Sequence, residues 1–290
     1  GLGGRLDAVN IIDPDIALIT SIGIDHVEFL GEDRESIGRE KAGIMRNKRP
    51  AVCSDPEIPN SIIETAKELD ADLDLLGVDF QFFEHAETWD WWNERTELFG
   101  LPKPNLEGDY QFRNASGVLQ VVDALQPRLP VERTIVENML RTVTLWGRFQ
   151  TFPGAVEYIF DVAHNVQAVE QFVETLKKHS TSGTTHLVLG MLRTKDRAAV
   201  MRVLKPAVDN WYLASVNARR GTRSEELKAS LDEVTSVAQV ALFSSVSSAL
   251  KAAEANAVPG DRIIALGSFL VVSAALRHVN KADRYSIGDV

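Results

Sequence analysis

The sequence predicts an α/β protein, and three observations carry that expectation. Short apolar runs alternate with helix-forming segments from 151 to 290, the rhythm of a mostly parallel sheet with helices on both faces. The run at 15–22, Asp-Ile-Ala-Leu-Ile-Thr-Ser-Ile behind Pro14, is largely apolar without strict alternation, as a strand buried on both faces reads. Polar residues gather where such runs stop, at Asp25-His26 and at Asp161-Val162-Ala163-His164-Asn165, and open α/β sheets receive ligands at the carboxyl ends of their strands.

After the first strand, Asp33 caps a helix expected over 33–46, which carries Arg39, Glu40 and Lys41 and closes near Gly43. Pro50-Ala51-Val52-Cys53 reads as a short buried strand. A helix at 59–69 precedes strands at 73–78 and 79–83. Trp89-Asp90-Trp91-Trp92 sets aromatics at period two and predicts an antiparallel hairpin. Gly108-Asp109-Tyr110-Gln111-Phe112-Arg113-Asn114-Ala115 leads into an amphipathic helix through Leu125. Another helix spans 131–141, with Pro127 and Pro130 punctuating the gap. The second half reads strand 157–160, helix 166–179, strand 186–190, helix 197–204 and strand 211–214. It continues with helix 224–231, strand 238–242, helix 245–255, strand 262–266 and a final helix to Val279.

The 290 residues, 44% of them hydrophobic, suffice for one large or two ordinary domains. A net charge of −10 argues against a nucleic-acid groove, because phosphate backbones are held by Lys and Arg. An acidic small-molecule substrate would need a locally basic pocket. The one cysteine, Cys53, excludes an internal disulfide and fits a reducing, cytoplasmic setting, with packing as its expected role. No run approaches the roughly 18 apolar residues that span a bilayer, and no signal peptide is evident. The chain opens at Gly1, without Met and within a motif, which reads as a fragment of a longer protein.

Gly1-Leu2-Gly3-Gly4-Arg5-Leu6-Asp7-Ala8, Ile19-Thr20-Ser21-Ile22-Gly23-Ile24-Asp25-His26 and Arg39-Glu40-Lys41-Ala42-Gly43-Ile44 follow one another in order. Together they resemble the folylpolyglutamate synthase/dihydrofolate synthase family of the Mur ligase superfamily. Similar elements continue to Phe269. Trp146-Gly147-Arg148-Phe149-Gln150 has Trp146 where the family has proline, and Asp161-Val162-Ala163-His164-Asn165 is followed by Val166 in place of proline. Gly190-Met191-Leu192-Arg193-Thr194-Lys195-Asp196 has Thr194 in place of aspartate, and Gly267-Ser268-Phe269 closes the series. The resemblance implies a Mur-ligase-type central ATPase domain at 1–146, truncated at its N-terminal side, and a Rossmann-like C-terminal domain at 147–290. The family's Gly-x-x-x-x-Gly-Lys-Ser/Thr phosphate loop, and the magnesium-holding glutamate before the glycine loop, have no counterpart in these residues.

In that family the histidine after the aspartate ligates magnesium and the motif lysine is carbamylated, roles that the resemblance carries to His26 and Lys41. Magnesium wants oxygen ligands, and a carbamate supplies anionic oxygens that a lone histidine lacks. Taken singly, His26 reads as a hydrogen-bonded turn residue and Lys41 as a solvated helix lysine; the flanking motif favours the ligand roles. The resemblance also implies pterin contacts at Leu6, Asp7 and Ala8. It implies ATP contacts at Asn114, Arg148, Asp161, His164 and Asn165, with Asp161 accepting from the ribose and His164 and Asn165 lining the cleft between domains. Lys195 and Arg220 are candidates for an anionic substrate group, and read equally well as solvated loop cations. Ser268 is expected to cap the last helix. Stacking a pterin is a sharper use for the tryptophans, but core packing is the better expectation.

The activity so implied is MgATP-dependent phosphorylation of a carboxylate of dihydropteroate or a folate, followed by attack of the L-glutamate amine. Lys41, His26 and Lys195 would be the catalytic residues, in a cytoplasmic monomer with no nucleic-acid or membrane partner. A Mur-type peptidoglycan ligase and a catalytically incomplete nucleotide-binding fragment are the alternatives.

Overall fold

The computed structural model describes residues 3–235 and 239–281. The chain divides into two compact units. One runs to Asn105 and includes Asp109–Thr144; the other takes Leu106–Gly108 and the chain from Leu145 onward.

The first unit opens with a parallel sheet in the order β1 (Ala17–Ile19), β2 (Pro50–Cys53), β3 (Asp72–Leu75). Between these strands lie α1 (Val27–Leu30), α2 (Arg34–Ala42) and α3 (Asn60–Glu68). Strand β1 is shorter than the expected 15–22. The backbone of Ile22 leaves the ladder because its N–H donates to the Asp55 carboxylate (2.5 Å) and its carbonyl accepts from Arg34 (2.7 Å). Helix α2 starts as expected at Asp33, whose side chain accepts from the Ser36 N–H, and stops at Ala42 with Gly43 as its C-cap. It falls short of Arg46 because that guanidinium turns back to donate to the carbonyls of Ile44 and Met45, both at 3.1 Å. The core beneath is apolar and closed: Ile22, Ile37, Ala42, Cys53 and Ile62 are fully buried.

A second sheet of this unit is antiparallel, β4 (Phe80–Glu84), β5 (Thr88–Asn93) and β6 (Glu97–Pro102), packed with α4 (Tyr110–Leu125) and α5 (Arg133–Thr142). Period two sends Trp89 and Trp91 to one face, where both are completely buried with Phe80, Leu101 and Phe112. Trp89 donates its indole N–H to the Pro102 carbonyl at 2.9 Å. The packing expectation therefore holds, and neither indole is available to stack a pterin.

The second unit is a six-stranded sheet in the order β11-β10-β9-β12-β8-β7. Its strands are β7 (Gln150–Phe152), β8 (Glu157–Asp161), β9 (Thr185–Leu189), β10 (Asn210–Ala214), β11 (Val240–Phe243) and β12 (Arg262–Leu266). All pairs are parallel except β7 with β8. The expected strand at 238–242 begins at Val240; Ala238 lies outside the described residues. Alternate residues of the central strands feed two cores. Ile159, Leu187 and Ile264 pack with α6 (Val166–Lys178), α7 (Arg197–Leu204) and α8 (Ser224–Asp232). Phe160, Val188 and Ala265 pack with α9 (Val246–Asn256) and α10 (Phe269–Lys281). Helices thus cover both faces, and the carboxyl ends of the strands are left to loops. No helix among the described residues is long and apolar enough to cross a membrane.

Candidate functional site

In the first unit the glycine loop lies on the end of α2. A Cβ on Gly4 would meet the Lys41 Cα and carbonyl oxygen, each at 2.8 Å, and a Cβ on Gly43 would meet the Arg5 Cα at 2.8 Å. Only glycine at both positions lets the two backbones come this close. The Arg5 N–H donates to the Glu40 carbonyl (2.9 Å), its guanidinium pairs with the Glu40 carboxylate (3.2 Å), and Asn10 donates to the carbonyls of Arg5 and Gly43. Two motifs over thirty residues apart in sequence are one structure here.

Asp7 then caps a short 3-10 turn, Ala8–Ile11, by accepting from the Val9 N–H at 3.0 Å. That bond holds its carboxyl below the usual range, and the Lys41 ammonium acts in the same direction. Asp7 and Lys41, expected as substrate contact and carbamate bearer, lie on the two docked segments, the glycine loop and α2. Leu6 is 76% exposed, an apolar side chain turned to solvent. Lys41 itself is half-buried, in place of the solvated helix position.

His26 caps α1 from the left-handed region (φ 53°), a conformation that costs a non-glycine residue energy. Its N–H donates to the Asp25 carboxylate at 2.8 Å, which fixes the pair. Arg34 and Asp55, which sequence reasoning missed, hold the loop from behind: the Arg34 guanidinium reaches Asp55 (2.9 Å) and the carbonyls of Ile22 and Glu57, while Asp55 accepts from the Ile22 and Glu57 N–H groups. The available signal was a carboxylate directly after a buried strand. Asn114 sits on α4, its amide donating to Gln111 at 3.0 Å, rather than at the helix cap. No group of three His, Cys, Asp or Glu side chains among the described residues is placed to hold a metal ion unaided.

In the second unit Arg148 and Asp161 come together. Gly147 adopts φ 70°, and a Cβ there would meet Val162 and Val272, each at 2.9 Å. Phe149 follows at φ 42° with its ring buried against Phe172. The Asp161 carboxylate accepts from the Phe149 and Ala163 N–H groups, both at 2.7 Å. Burial pushes this carboxyl up to about 6; the two N–H bonds and the Arg148 guanidinium oppose the rise. Arg148 projects to the exterior from this fixed turn.

His164 is oriented by its Nδ1, which lies 2.7 Å from the Val162 carbonyl. The Asn165 side chain, expected to line a cleft, caps α6 by accepting from the Ala168 N–H at 2.9 Å. With Val166 in place of proline, the capping bond supplies the helix start. The loops of Lys195 and Arg220 are stitched together: the Arg193 N–H donates to the Arg220 carbonyl (2.9 Å), and Leu192 bridges Gly221. Lys195 is nine-tenths buried, which overturns its solvated-loop reading, whereas Arg220 is exposed. Ser268 accepts from the Val271 N–H at 3.3 Å, the expected cap of α10. The Cys53 thiol is buried and pushed up to about 11 by that burial, so it packs and does not react.

Residues 147–269 match the family model described as Mur ligase, glutamate ligase domain. The dihydrofolate synthase/folylpolyglutamate synthase of Escherichia coli K12 is 38% identical over 280 residues, 97% of this chain and 64% of the relative. The chain thus spans just under two thirds of that relative's length. The solved structure of E. coli FolC in complex with DHPP and ADP superposes with a TM-score of 0.89 at 38% identity, covering 98% of this chain and 66% of that one. A bifunctional folylpolyglutamate synthase/dihydrofolate synthase with Mn, AMPPNP and L-glutamate bound superposes with a TM-score of 0.86 at 38% identity, covering 97% and 65%. On this evidence the chain is similar over nearly its whole length to dihydrofolate synthase/folylpolyglutamate synthases, and residues 147–269 match the glutamate ligase domain of Mur ligases.

Proposed function

We propose that the protein is an ATP-dependent ligase that adds L-glutamate to dihydropteroate, to folates or to both through an acyl-phosphate intermediate. The observation that carries the reading is the docking of the glycine loop on α2, which lays Gly4 against the backbone of Lys41 three residues before Asp7. The solved relatives holding DHPP with ADP, and Mn with AMPPNP and L-glutamate, support the same substrates. Residues 1–146 would act as the ATPase-type domain and 147–290 as the Rossmann-like domain. We take it to be a cytoplasmic monomer; the single buried thiol supports the reducing compartment.

In the proposed reaction a carboxylate oxygen of the acceptor attacks the γ-phosphorus of ATP and ADP departs. The glutamate amine then attacks the acyl carbon, loses a proton and expels phosphate. The protein's work is to hold anions together and offset their charge, which suits Arg148, Lys195 and Arg220 better than a nucleophilic Ser or Cys. Imidazole from His26 and oxygen from Asp25 would be two donors for a divalent ion, with a carbamate on Lys41 and phosphate oxygens as the further ligands. Magnesium, when bound, would neutralise charge on the phosphates. His164 and Asp161 would face the nucleotide as oriented groups, and Leu6 and Ala8 the pterin. Asn114 and Asn165 would assist through the amide positions that their own hydrogen bonds fix.

The test is ligation by the protein with MgATP, L-glutamate and either dihydropteroate or a folate, read as amide product and stoichiometric ADP. Product from either acceptor is expected. Binding of ATP and dihydropteroate without product would make it a non-catalytic nucleotide module. Product from a peptidoglycan precursor in place of both would make it a Mur peptidoglycan ligase.

A further inference from the structure

The carboxyl ends of β10 and β11 open onto two neighbouring cavities, about 680 and 460 Å³, both within the second unit. They share the wall Ser215-Val216-Asn217. The larger lies along the start of α9 and one side of α10 and is lined by Lys251, Arg277 and His278, with no carboxylate in its lining among the described residues. The smaller adds Arg193 and Arg223 against a single acid, Glu225. In a chain of net charge −10, four Arg or Lys side chains with Glu225 as the carboxylate among the described lining residues, and Glu226 beside Arg193, set this region apart.

Two of the lining side chains have an acid beside them. Glu254 accepts from the Tyr158 hydroxyl (2.7 Å) and lies 3.1 Å from His278, and Glu226 lies 3.7 Å from Arg193. Arg277 donates to Ser273 at 2.7 Å, and both it and Lys251 reach solvent. The first turn of α9 adds the positive end of an eleven-residue helix, with Val246 and Ser247 in the cavity wall and Ser245 as its cap.

We infer that this groove binds a flexible chain of carboxylates, of the kind an oligo-γ-glutamyl tail presents. The cations are spread along two joined cavities rather than converging on one point. That distribution matches several separated carboxylates better than one compact phosphate group. The inference rests on the polyglutamate reading above and extends it from the reacting end of the substrate to its tail.

The experiment titrates the chain with free penta-γ-glutamate, L-glutamate and inorganic phosphate by calorimetry, then repeats this for Lys251→Glu/Arg277→Glu. Both side chains are exposed, so the double variant is expected to melt like the parent, which circular dichroism checks. Pentaglutamate is expected to bind at least tenfold more tightly than either small anion and to lose at least tenfold in affinity in the variant. Equal affinity in the folded variant overturns the inference, as does phosphate competing at equal concentration, which marks a general anion site. Ligation is assayed separately on the unaltered protein. Loss of pentaglutamate binding in the variant supports the groove even if ligation fails, whereas ligation with unchanged pentaglutamate binding overturns the groove and leaves the ligase reading standing.

Discussion

Gly4 rests on the backbone of Lys41, with no room between them for a methyl group. The glycine loop and the lysine helix are therefore one rigid piece, and a change in either moves the other. Gly4→Ala should cost about 1–3 kcal/mol through overpacking against backbone that cannot yield. A chemical melt of the variant checks the loss, and an unchanged midpoint would show that the loop is held elsewhere.

Lys41→Ala addresses chemistry rather than packing. In the ligation assay turnover should fall by roughly two orders of magnitude or more if a charge-stabilising group is lost. Short carboxylates such as formate should restore part of it by standing in for the carbamate oxygens. Full turnover in the variant would return Lys41 to an ordinary helix lysine.

Asp55 is buried beneath the His26 loop, with its acceptors given to Ile22, Glu57 and Arg34. Asp55→Ala leaves two N–H groups and a guanidinium without their partner. The loss should be about 3 kcal/mol, at the low end for a broken buried pair because Arg34 is one-third exposed. The same variant should loosen divalent-ion binding at His26, read by Mn²⁺ relaxation.

Asp161 makes stability depend on pH in an unusual direction. Its carboxyl is raised to about 6, so between about pH 4 and 6 the folded state holds a proton that the unfolded chain has released. Stability from this group is full below about pH 4 and is lost as pH rises through 6, a change of about 3 kcal/mol by linkage. Denaturant melts of wild type and Asp161→Asn should therefore diverge as pH falls from 7.5 to 4, with wild type gaining on the variant. A constant difference would mean that Asp161 titrates normally.

Much of this was legible in the sequence because the relevant signals are local. The strand and helix rhythm of 157–279, the Asp33 cap and the period-two tryptophans each rest on patterns within a few residues. Strands β6 and β7 escaped notice: Glu97–Pro102 carries Gly100 and ends in proline, and Gln150–Phe152 is only three residues long. Burial of Lys195 and the Arg34–Asp55 clamp also escaped, since both depend on segments far apart in sequence meeting in space. Asn165, for which the resemblance implies a ligand role, caps α6 here, and an asparagine before a helix can serve either purpose.

Cys53 sits in the middle strand of the first sheet, sealed from solvent and with its proton held tightly. Since it is the sole thiol of the chain, a thiol-reactive dye has one address, reachable only when that sheet parts. The protein therefore carries its own reporter of local opening, and labelling speed gives the frequency of those openings without any engineered tag.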